Sequence, residues 1–361
     1  MGKIKMFFHK LWKVLKNKYF LLIASVILIV GGVLIYMEFT KPVEKSTAVK
    51  TEKKKETVDT RVPSKLMGIK VEPAVNDKKI VAVVVENHPD ARPQSGLDKA
   101  SIVYETIAEG GITRFLAFFQ ENEVSEIGPV RSARTYFLDW ALEYDALFAH
   151  VGGNQDALDL IGPLGLQDIN QFFNANYFWR DNSRYAPHNV YTTTDKLRAA
   201  GEKANYPTTS NFAGLSFKED AKTTLRPQTS SATVHFSGPQ YDPVYTYDRN
   251  TNTWARSLAG VPFKDKKTGT QIAPKNVVVE FTGFQYGQTR IAEQTTIITT
   301  VGSGRALFYI DGQQVEGTWE KADRKSQTVF KDSAGNSIKF NPGQTWIDVI
   351  PAGNTVNFSQ T

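Results

Sequence analysis

An uninterrupted apolar run near the N-terminus constrains this chain more than any other feature. The nineteen residues from Tyr19 to Met37 (YFLLIASVILIVGGVLIYM) carry no charge. At about 1.5 Å of rise per residue, a helix of this length spans roughly 29 Å, which matches the hydrocarbon core of a bilayer. The run exceeds the apolar region of a signal peptide, and no A-x-A-like cleavage site follows it. The sequence therefore predicts an uncleaved transmembrane helix over residues 19–37, with the lipid bilayer as a partner.

The residues before this run are rich in lysine. Residues 1–18 contain six lysines and no acidic residue, whereas acidic and basic residues are mixed after the run. Because an excess of lysine marks the cytoplasmic side of a membrane, we expect a single-pass cell-membrane protein with a cytoplasmic N-terminus and an extracytoplasmic body. Apolar residues also recur at helical spacing in this basic segment, at Ile4, Phe7, Leu11 and Leu15. They indicate either an amphipathic helix on an anionic leaflet or a basic flank that only sets orientation.

The net charge of +6 is distributed unevenly along the chain. Fourteen of the 43 Lys and Arg residues and five of the 37 Asp and Glu residues lie in residues 1–66, so that segment carries +9 and the remainder −3. A slightly acidic body lacks the positive surface that nucleic-acid binding requires, which excludes nucleic acid as a partner. The chain has no cysteine, which excludes a cysteine-linked lipid anchor, thiol catalysis and thiolate metal sites.

Composition divides the rest of the chain into three parts. Residues 38–69 are charged, poor in aromatic residues and without periodicity, which predicts a disordered linker. Strands and helices then alternate over residues 70–228, which predicts an α/β domain that carries the candidate ligand site. Residues 229–361 contain short alternating strands separated by Gly, Asp, Asn and Pro, which predicts an all-β domain, sandwich or barrel-like.

The predicted α/β domain contains four strands and three helices. The strands are Ile80–Asn87, Ser101–Ala108, Ile112–Phe119 and Ala146–Val151, and the helices are Arg131–Tyr144, Gln155–Ile161 and Thr193–Asn205. A turn at Glu109-Gly110-Gly111 joins the second and third strands as a hairpin. A long polar and aromatic loop, at residues 170–189, precedes the last helix.

Charged and amide residues lie on or beside these predicted strands, and in α/β sheets the carboxyl ends of strands line the ligand crevice. The candidate ligand-binding residues are Asn87, His88, Arg92, Arg114, Arg131, Arg134, Arg180, His188 and Asn189. If the protein is an enzyme, the candidate catalytic residues are Glu105, Glu109 and His150, which are suited to proton transfer. Arginine forks hold carboxylate or phosphate oxygens, so such a pocket suits an anionic ligand. We expect five of these residues to share one concave surface, namely His88, Glu105, Arg131, His150 and His188.

Each of these residues also has a structural interpretation. A histidine at a strand end is often a satisfied structural group, and Glu105 with Arg114 would make a cross-strand ion pair. Arg131 and Arg134 would then clamp the helix to the sheet. Zinc coordination by the histidines with Glu105 or Glu109 lacks the spacing H-x-x-E-H or H-E-x-x-H, so the sequence predicts no metal site and no cofactor.

Seven aromatic residues of the predicted all-β domain have two interpretations. They form either a stacking platform for glycans or the core of the domain. These residues are Tyr245, Tyr247, Trp254, Phe308, Tyr309, Trp319 and Trp346.

Three segments of the chain resemble the YerB-type family of bacterial envelope proteins. They are ENHPDARPQSGLDKASIVYETIAEGGITRF, GPVRSARTYFLDWALEYDALFAHVGGN and NPGQTWIDVIP. The resemblance implies a two-domain extracytoplasmic protein, in which a domain of unknown function has its own C-terminal partner domain, usually tethered as a lipoprotein. This chain departs from that pattern because it has no lipobox cysteine, so the transmembrane helix would replace the lipid. The resemblance implies no established reaction.

These features together predict a membrane-anchored, extracytoplasmic envelope protein. It would bind an anionic ligand, a cell-wall polymer or precursor, or another envelope protein through a cleft lined by His, Glu and Arg. The alternative is a hydrolase of wall glycan or peptide that uses Glu105 or Glu109 with a histidine. Glycoside chemistry needs two acid or base groups about 5–10 Å apart that face one open cleft, so the exposure of these carboxylates bears directly on the choice.

Overall fold

The computed structural model describes residues 2–15, 18–40 and 59–361. The chain divides into two compact units, with the division between Val58 and Asp59. The first unit contains the helices α1 (Gly2–Leu15) and α2 (Lys18–Phe39). Within the described chain, one stretch of helix is long and apolar enough to cross a membrane, and it is residues 21–39 of α2. The predicted apolar helix is therefore present, and apolar side chains along it are exposed, as in a helix that contacts lipid.

The second unit, which we call the body, contains three further helices, α3 (Thr135–Glu143), α4 (Gln155–Leu164) and α5 (Thr194–Lys203). The strands before α5 are β1 (Val62–Pro63), β2 (Lys70–Val71), β3 (Val81–Glu86), β4 (Ile102–Ile107), β5 (Thr113–Phe119), β6 (Leu147–His150), β7 (Gln167–Asn170), β8 (Trp179–Arg180) and β9 (Val190–Tyr191). The strands after α5 are β10 (Ser230–Val234), β11 (Val244–Asp248), β12 (Thr253–Leu258), β13 (Val261–Pro262), β14 (Asn276–Thr282), β15 (Phe284–Gln288), β16 (Gln294–Ile298), β17 (Gly302–Ile310), β18 (Gln313–Lys321), β19 (Val329–Asp332), β20 (Thr345–Pro351) and β21 (Val356–Gln360).

A ten-stranded sheet forms the centre of the body. Its strand order is β19-β18-β17-β14-β20-β4-β5-β3-β6-β7. Strand β20 is parallel to both of its neighbours, β14 and β4, while β5 is antiparallel to both β3 and β4. Strand β6 is parallel to β3. The carboxyl ends of β3, β4, β6 and β20 therefore reach the same edge of the sheet, which we call the carboxyl edge.

Both faces of this sheet are covered, which explains why its central strands are apolar on both sides. On one face, Val83 and Val85 of β3 belong to a core shared with α5 and with a five-stranded sheet of order β13-β12-β11-β10-β21. On the other face, Ala82 and Val84 belong to a core shared with α3 and α4. Because side chains alternate along a strand, neighbouring residues at a strand end reach different faces.

The predicted fold class is confirmed, because a mixed α/β first part is followed by a β-rich second part. No α-helix follows α5 in the described residues. The two predicted parts, residues 70–228 and 229–361, are joined through one continuous sheet. The ten-stranded sheet takes strands from both parts, and β20 lies between β14 and β4. Hydrophobic periodicity predicts individual strands but not their long-range pairing, which is why the sequence did not indicate this.

The start of the body also differs from the prediction of a disordered linker at residues 38–69. Residues 41–58 of that range lie outside the described residues, but residues 59–69 belong to the body. Strand β1 pairs with β2 in this region, and Leu66 is fully buried in the core beneath α3. A single apolar residue such as Leu66 hardly changes the composition of a charged segment, so composition did not predict that residues 59–69 are ordered.

The seven aromatic residues of the β-rich part are core residues, so they offer no platform to a glycan. All of them are buried. Trp346 of β20 packs edge to face against Phe115 of β5, and Trp254 of the small sheet packs edge to face against Tyr309 of the large one. The contact of Trp254 with Tyr309 joins the two sheets of the sandwich, whereas that of Trp346 with Phe115 lies within the large sheet.

Candidate functional site

The carboxyl edge is built where β3 and β6 diverge. Beyond their short paired region, the segment 128–134 (GPVRSAR) runs between the two strands. The backbone N–H of Arg131 donates to the carbonyl of Val84 at 2.9 Å, and the carbonyl of Arg131 accepts from the N–H of Val151 at 3.0 Å. The prediction that a helix begins at Arg131 is wrong, because these bonds hold the segment extended and α3 begins only at Thr135. The same bonds place the Arg131 side chain at the ends of both strands.

Four polar side chains meet there, and we call Glu86, His88, Arg131 and His188 the Glu86 cluster. Oε1 of Glu86 lies 3.0 Å from Nε of Arg131, and Oε2 accepts a hydrogen bond from Nδ1 of His188 at 2.9 Å. The rings of His88 and His188 are stacked, with centroids 4.9 Å apart and planes 18° apart. Glu86 is buried, but the side chains of His88, Arg131 and His188 are 33%, 24% and 17% exposed. A ligand in solution can therefore reach all three.

The loop of residues 180–189 holds His188 against His88. The guanidinium of Arg184 donates to the carbonyls of Ala91 and Pro93, at 2.5 and 2.7 Å. These carbonyls lie just after His88 in the chain, so Arg184 ties the two histidine-bearing segments together.

Two predicted ligand residues have structural roles in the same loop. Arg180 donates to Oδ1 of Asn189 at 2.8 Å. Nδ2 of Asn189 donates to the carbonyl of Arg184 at 3.2 Å. Arg180 and Asn189 thus stabilise the turn between β8 and β9, which carries His188.

Glu109, Arg114 and Arg134 form a second group at the carboxyl edge. Both carboxylate oxygens of Glu109 accept hydrogen bonds from Arg134, one of them at 2.6 Å. Burial raises the pKa of Glu109, but the hydrogen bond and charge of Arg134 outweigh burial and hold that pKa below its ordinary value. Glu109 is therefore ionised at neutral pH and is not available as a general acid.

The pKa of Arg114 reflects the positive charge at the carboxyl edge. Burial, followed by the charge of Arg134, lowers the pKa of Arg114 to about 10, and Arg131 adds to the effect. Three guanidinium groups so close together favour the binding of an anion, which would relieve their mutual repulsion. A cleft of about 420 Å³ lies next to Glu109, the ion-pair partner of Arg134, and is closed on its other side by the hairpin of β15 and β16 that carries Tyr286.

Glu105 does not join this site, because it is fully buried between the two sheets. Its Oε2 accepts a hydrogen bond from Arg256 at 2.6 Å, and its Oε1 accepts from Thr113 at 2.7 Å and Asn87 at 3.1 Å. Arg92 donates to Oδ1 of Asn87 at 3.0 Å and so supports the same network. The expectation that Glu105 lines a concave surface is wrong, and a carboxylate with no exposed surface cannot contact a substrate as acid or base.

His150 is also an interior residue. Its ring is fully buried, and its two nitrogens lie 2.6 Å from the carbonyl oxygen of Gly152 and 2.6 Å from Oδ1 of Asp168. The expectation that His150 joins the shared surface is wrong, because both nitrogens are engaged within the fold. These contacts agree with the interpretation of His150 as a structural histidine whose hydrogen bonds are satisfied within the fold.

Two residues of the site were missed by the sequence analysis. Glu86 was taken as part of the apolar strand, and Asp90 was not selected, although its Oδ2 lies 3.6 Å from Nδ1 of His88. The available signal was the alternation of Glu86 and His88 at the end of β3, because residues two apart on an extended chain project to the same side.

The structure thus defines a class of protein, an α/β body with a β-rich second part, a basic edge and an apolar helix in the N-terminal unit. The chain belongs to the family described as "Protein of unknown function (DUF3048)", whose N-terminal domain matches residues 66–207 and whose C-terminal domain matches residues 232–347. It is 34% identical over 307 residues to "Putative lipoprotein YerB" of Bacillus subtilis (strain 168), which covers 83% of this chain and 89% of that protein. The crystal structure of the YerB protein from Bacillus subtilis is similar, with a TM-score of 0.73 and 31% identity over 83% of this chain and 100% of the other. The resemblance seen in the sequence is therefore confirmed.

Proposed function

We propose that this protein is a membrane-anchored envelope protein whose body binds an anionic ligand at the Glu86 cluster and the adjoining arginines. Ligands of this chemistry include cell-wall polymers and precursors with phosphate or carboxylate groups, and acidic surfaces of envelope proteins. We favour binding over hydrolysis, because Glu105 has no exposed surface and Arg134 holds Glu109 ionised, so neither can serve as the general acid that hydrolysis of a glycan requires.

The observation that carries the proposal is which nitrogens of the Arg131 guanidinium have a partner within the protein. Its Nε faces Glu86, and its two terminal nitrogens have no hydrogen-bond acceptor within the part of the chain that the structure describes. Arg114 and Arg134, in contrast, donate to the carbonyls of Ser132 and Ala133. An exposed arginine fork held in position by a buried carboxylate is suited to bidentate contact with a phosphate or carboxylate.

The location is supported by two independent features. Helix α2 has the length and apolar composition of a membrane span, and the relative from Bacillus subtilis is named a putative lipoprotein. A lipoprotein is anchored through a lipid on a cysteine, and this chain has no cysteine. A helical anchor in place of a lipid would keep the body at the same membrane surface, with the N-terminus in the cytoplasm.

The proposal is tested by titration calorimetry of the full-length chain in mild detergent, with EDTA present to remove metal ions. The probes are inorganic pyrophosphate, a phosphate-bearing wall polymer and an uncharged glycan of similar length. We expect the two anionic probes to bind, with an affinity that falls as salt rises, and the neutral glycan not to bind. Arg131→Ala should weaken binding of the anions at least about tenfold, because a bidentate charged contact is lost.

The matched control is Arg305→Ala, since Arg305 is an exposed arginine in an ion pair with Glu316 on β17 and β18. This variant should bind as the wild type does. Arg131→Lys should retain part of the affinity, because the charge remains while the fork is lost. Equal affinities for the wild type and Arg131→Ala would refute the proposed site, and a thermal melt of each variant separates lost binding from lost structure.

A further inference from the structure

Three side chains at the carboxyl edge carry atoms of the kind that coordinate metal ions. They are His88, Asp90 and His188, and their ligand atoms all lie within 4.8 Å of one another. Two of them, His88 and Asp90, are two positions apart in the chain and both follow the end of β3. The third arrives on the loop of residues 180–189, which Arg184 ties to the segment after His88. The fold therefore brings two distant parts of the chain to one small set of donors.

Glu86 orients one of these donors in the way that metal sites require. Its carboxylate accepts the hydrogen bond from Nδ1 of His188 at 2.9 Å. A carboxylate paired with an arginine is an acceptor only, so the proton lies on Nδ1 and the lone pair of His188 lies on Nε2. Metal-binding histidines almost always donate their other ring nitrogen to a carboxylate or carbonyl, which fixes the tautomer and raises the basicity of the ligand.

We propose that His88, Asp90 and His188 bind a divalent transition-metal ion of the zinc class. Two imidazoles and one carboxylate form a mixed nitrogen and oxygen donor set, which suits zinc better than calcium or magnesium. Three protein ligands leave a fourth position of a tetrahedral ion for water or for an oxygen of a ligand. His88 and His188 are accessible to solvent and Asp90 is exposed, so an ion can enter without opening the core.

The distances fit this assignment after a small rearrangement. Nδ1 of His88 lies 3.6 Å from Oδ2 of Asp90, and two ligands of a tetrahedral zinc ion at about 2.1 Å lie about 3.4 Å apart. Nδ1 of His88 accepts a hydrogen bond from the backbone N–H of Asp90 at 3.2 Å, so its lone pair is on the side of the ring where Asp90 lies. Binding would exchange this bond for a metal bond to Nδ1 of His88, while His188 would keep its hydrogen bond to Glu86 and offer Nε2 to the ion.

The metal site goes beyond the anion site and does not depend on it. Glu86 contacts Arg131 with one oxygen and His188 with the other, so the two sites are neighbours that share an orienting carboxylate. An ion at His88, Asp90 and His188 would add positive charge beside Arg131. Metal binding is measured without any anionic ligand, and anion binding is measured with EDTA, so each proposal can fail alone.

The experiment uses the full-length chain in mild detergent, stripped with EDTA and then dialysed against zinc sulfate. Zinc per chain is measured by mass spectrometry, and the affinity by competition with a chromophoric chelator. We expect one zinc ion per chain in the wild type. His88→Ala and His188→Ala should each weaken zinc binding at least about tenfold, because removing one of three ligands costs more than the loss of an orienting partner. Cobalt in place of zinc should give the visible absorption of a four-coordinate ion in the wild type and lose it in both variants.

The matched control is His235→Ala. His235 is a partly exposed histidine whose Nδ1 lies 2.9 Å from Oδ2 of Asp242, so it is a His–Asp pair outside the proposed site. Its replacement should leave zinc binding unchanged. The proposal is overturned if His88→Ala binds zinc as tightly as the wild type, or if the wild type binds no more zinc than a variant that carries both His88→Ala and His188→Ala. Circular dichroism without metal checks folding, and if His188→Ala does not fold, the exposed His88 variant alone decides.

Discussion

The ion pair between Glu105 and Arg256 lies where solvent cannot screen it. Both side chains are fully buried between the sheets, and the guanidinium also lies over the rings of Phe263 and Trp346, at 4.3 and 4.9 Å. Burial lowers the pKa of Arg256, but the charge of Glu105 outweighs it and leaves that pKa above its ordinary value. Arg256 is therefore held as a cation by its partner, and neither charge can be removed alone without leaving the other unpaired.

Replacing Arg256 with alanine should destabilise the body by about 3–5 kcal/mol, because Glu105 would remain buried without a counter-charge. The measurement is the urea unfolding transition of the variant and the wild type. Arg305→Ala removes an exposed arginine of an ion pair and should cost less than about 1 kcal/mol. A loss for Arg256→Ala as small as that of Arg305→Ala would mean that Glu105 takes up a proton or meets water in the folded state.

Glu280 on β14 is a second buried carboxylate, and it makes stability depend on pH. Burial, with the nearby charge of Glu143, raises the pKa of Glu280 to about 8 from an ordinary 4.5. The folded state then holds a proton that the unfolded state releases, so stability falls as pH rises between these two values. Glu280→Gln should remove this dependence, and its advantage over the wild type should grow by about 1 kcal/mol per pH unit from pH 5 to pH 8.

Urea unfolding at several pH values checks this expectation. Glu316→Gln is the control, because Glu316 is an exposed glutamate in an ion pair with Arg305 and its loss should shift the whole profile slightly without changing its slope. Parallel profiles for the wild type and Glu280→Gln would show that Glu280 titrates normally in the folded state.

For individual residues, the sequence predicted which residues lie at the site better than it predicted which residues they contact. His88, Arg131 and His188 meet as expected, because strand ends and the loop after residue 170 converge at one edge. Glu105 was misassigned because Arg256 lies 151 positions further along the chain, and no local spacing reports such a contact. Strand alternation determines the face of the large sheet on which each glutamate lies. Glu105 faces the small sheet, whereas Glu86 faces the Arg131 segment.

Among the elements, β20 does the most to join the two parts of the body. It brings the end of the chain into the centre of the large sheet, where it pairs with β4 along residues 345–349. The three helices and four strands of the first part, β3 to β6, were predictable from their periodicity, with bounds that differ by a few residues, whereas β7 was not predicted. The position of β20 was not, because its apolar run is equally compatible with an edge or a central strand.

A fragment of residues 59–228 should therefore fail to fold cooperatively. It would lack β20 along one edge of β4, and it would expose the apolar face that the five-stranded sheet covers, including Phe115. Thermal circular dichroism should give a broad, non-cooperative transition for this fragment and a sharp one for residues 59–361. A sharp transition for residues 59–228 would establish that the first part is an independent domain after all.

For the whole molecule, the distribution of charge and apolar residues remains the main guide to topology. The lysine-rich segment precedes α2, and the slightly acidic body follows it. A cation-rich flank stays in the cytoplasm because its transfer across the membrane is costly. Helix α2 has the length and apolar composition of a membrane span, and the body begins at Asp59.

We expect the body to lie outside the membrane and the N-terminus inside. The full-length chain, tagged at both ends, would be expressed in bacteria whose cell wall is then removed, and protease would be added to the intact cells. The C-terminal tag and the body should be digested, while the N-terminal tag should remain on a short membrane-bound fragment. Replacing the six lysines of residues 1–18 with glutamine should leave part of the population inverted and protected, because the charge bias that sets orientation is lost. A wild-type body that resists protease until the membrane is lysed would contradict this topology, with a cytoplasmic protein as the control for intact cells.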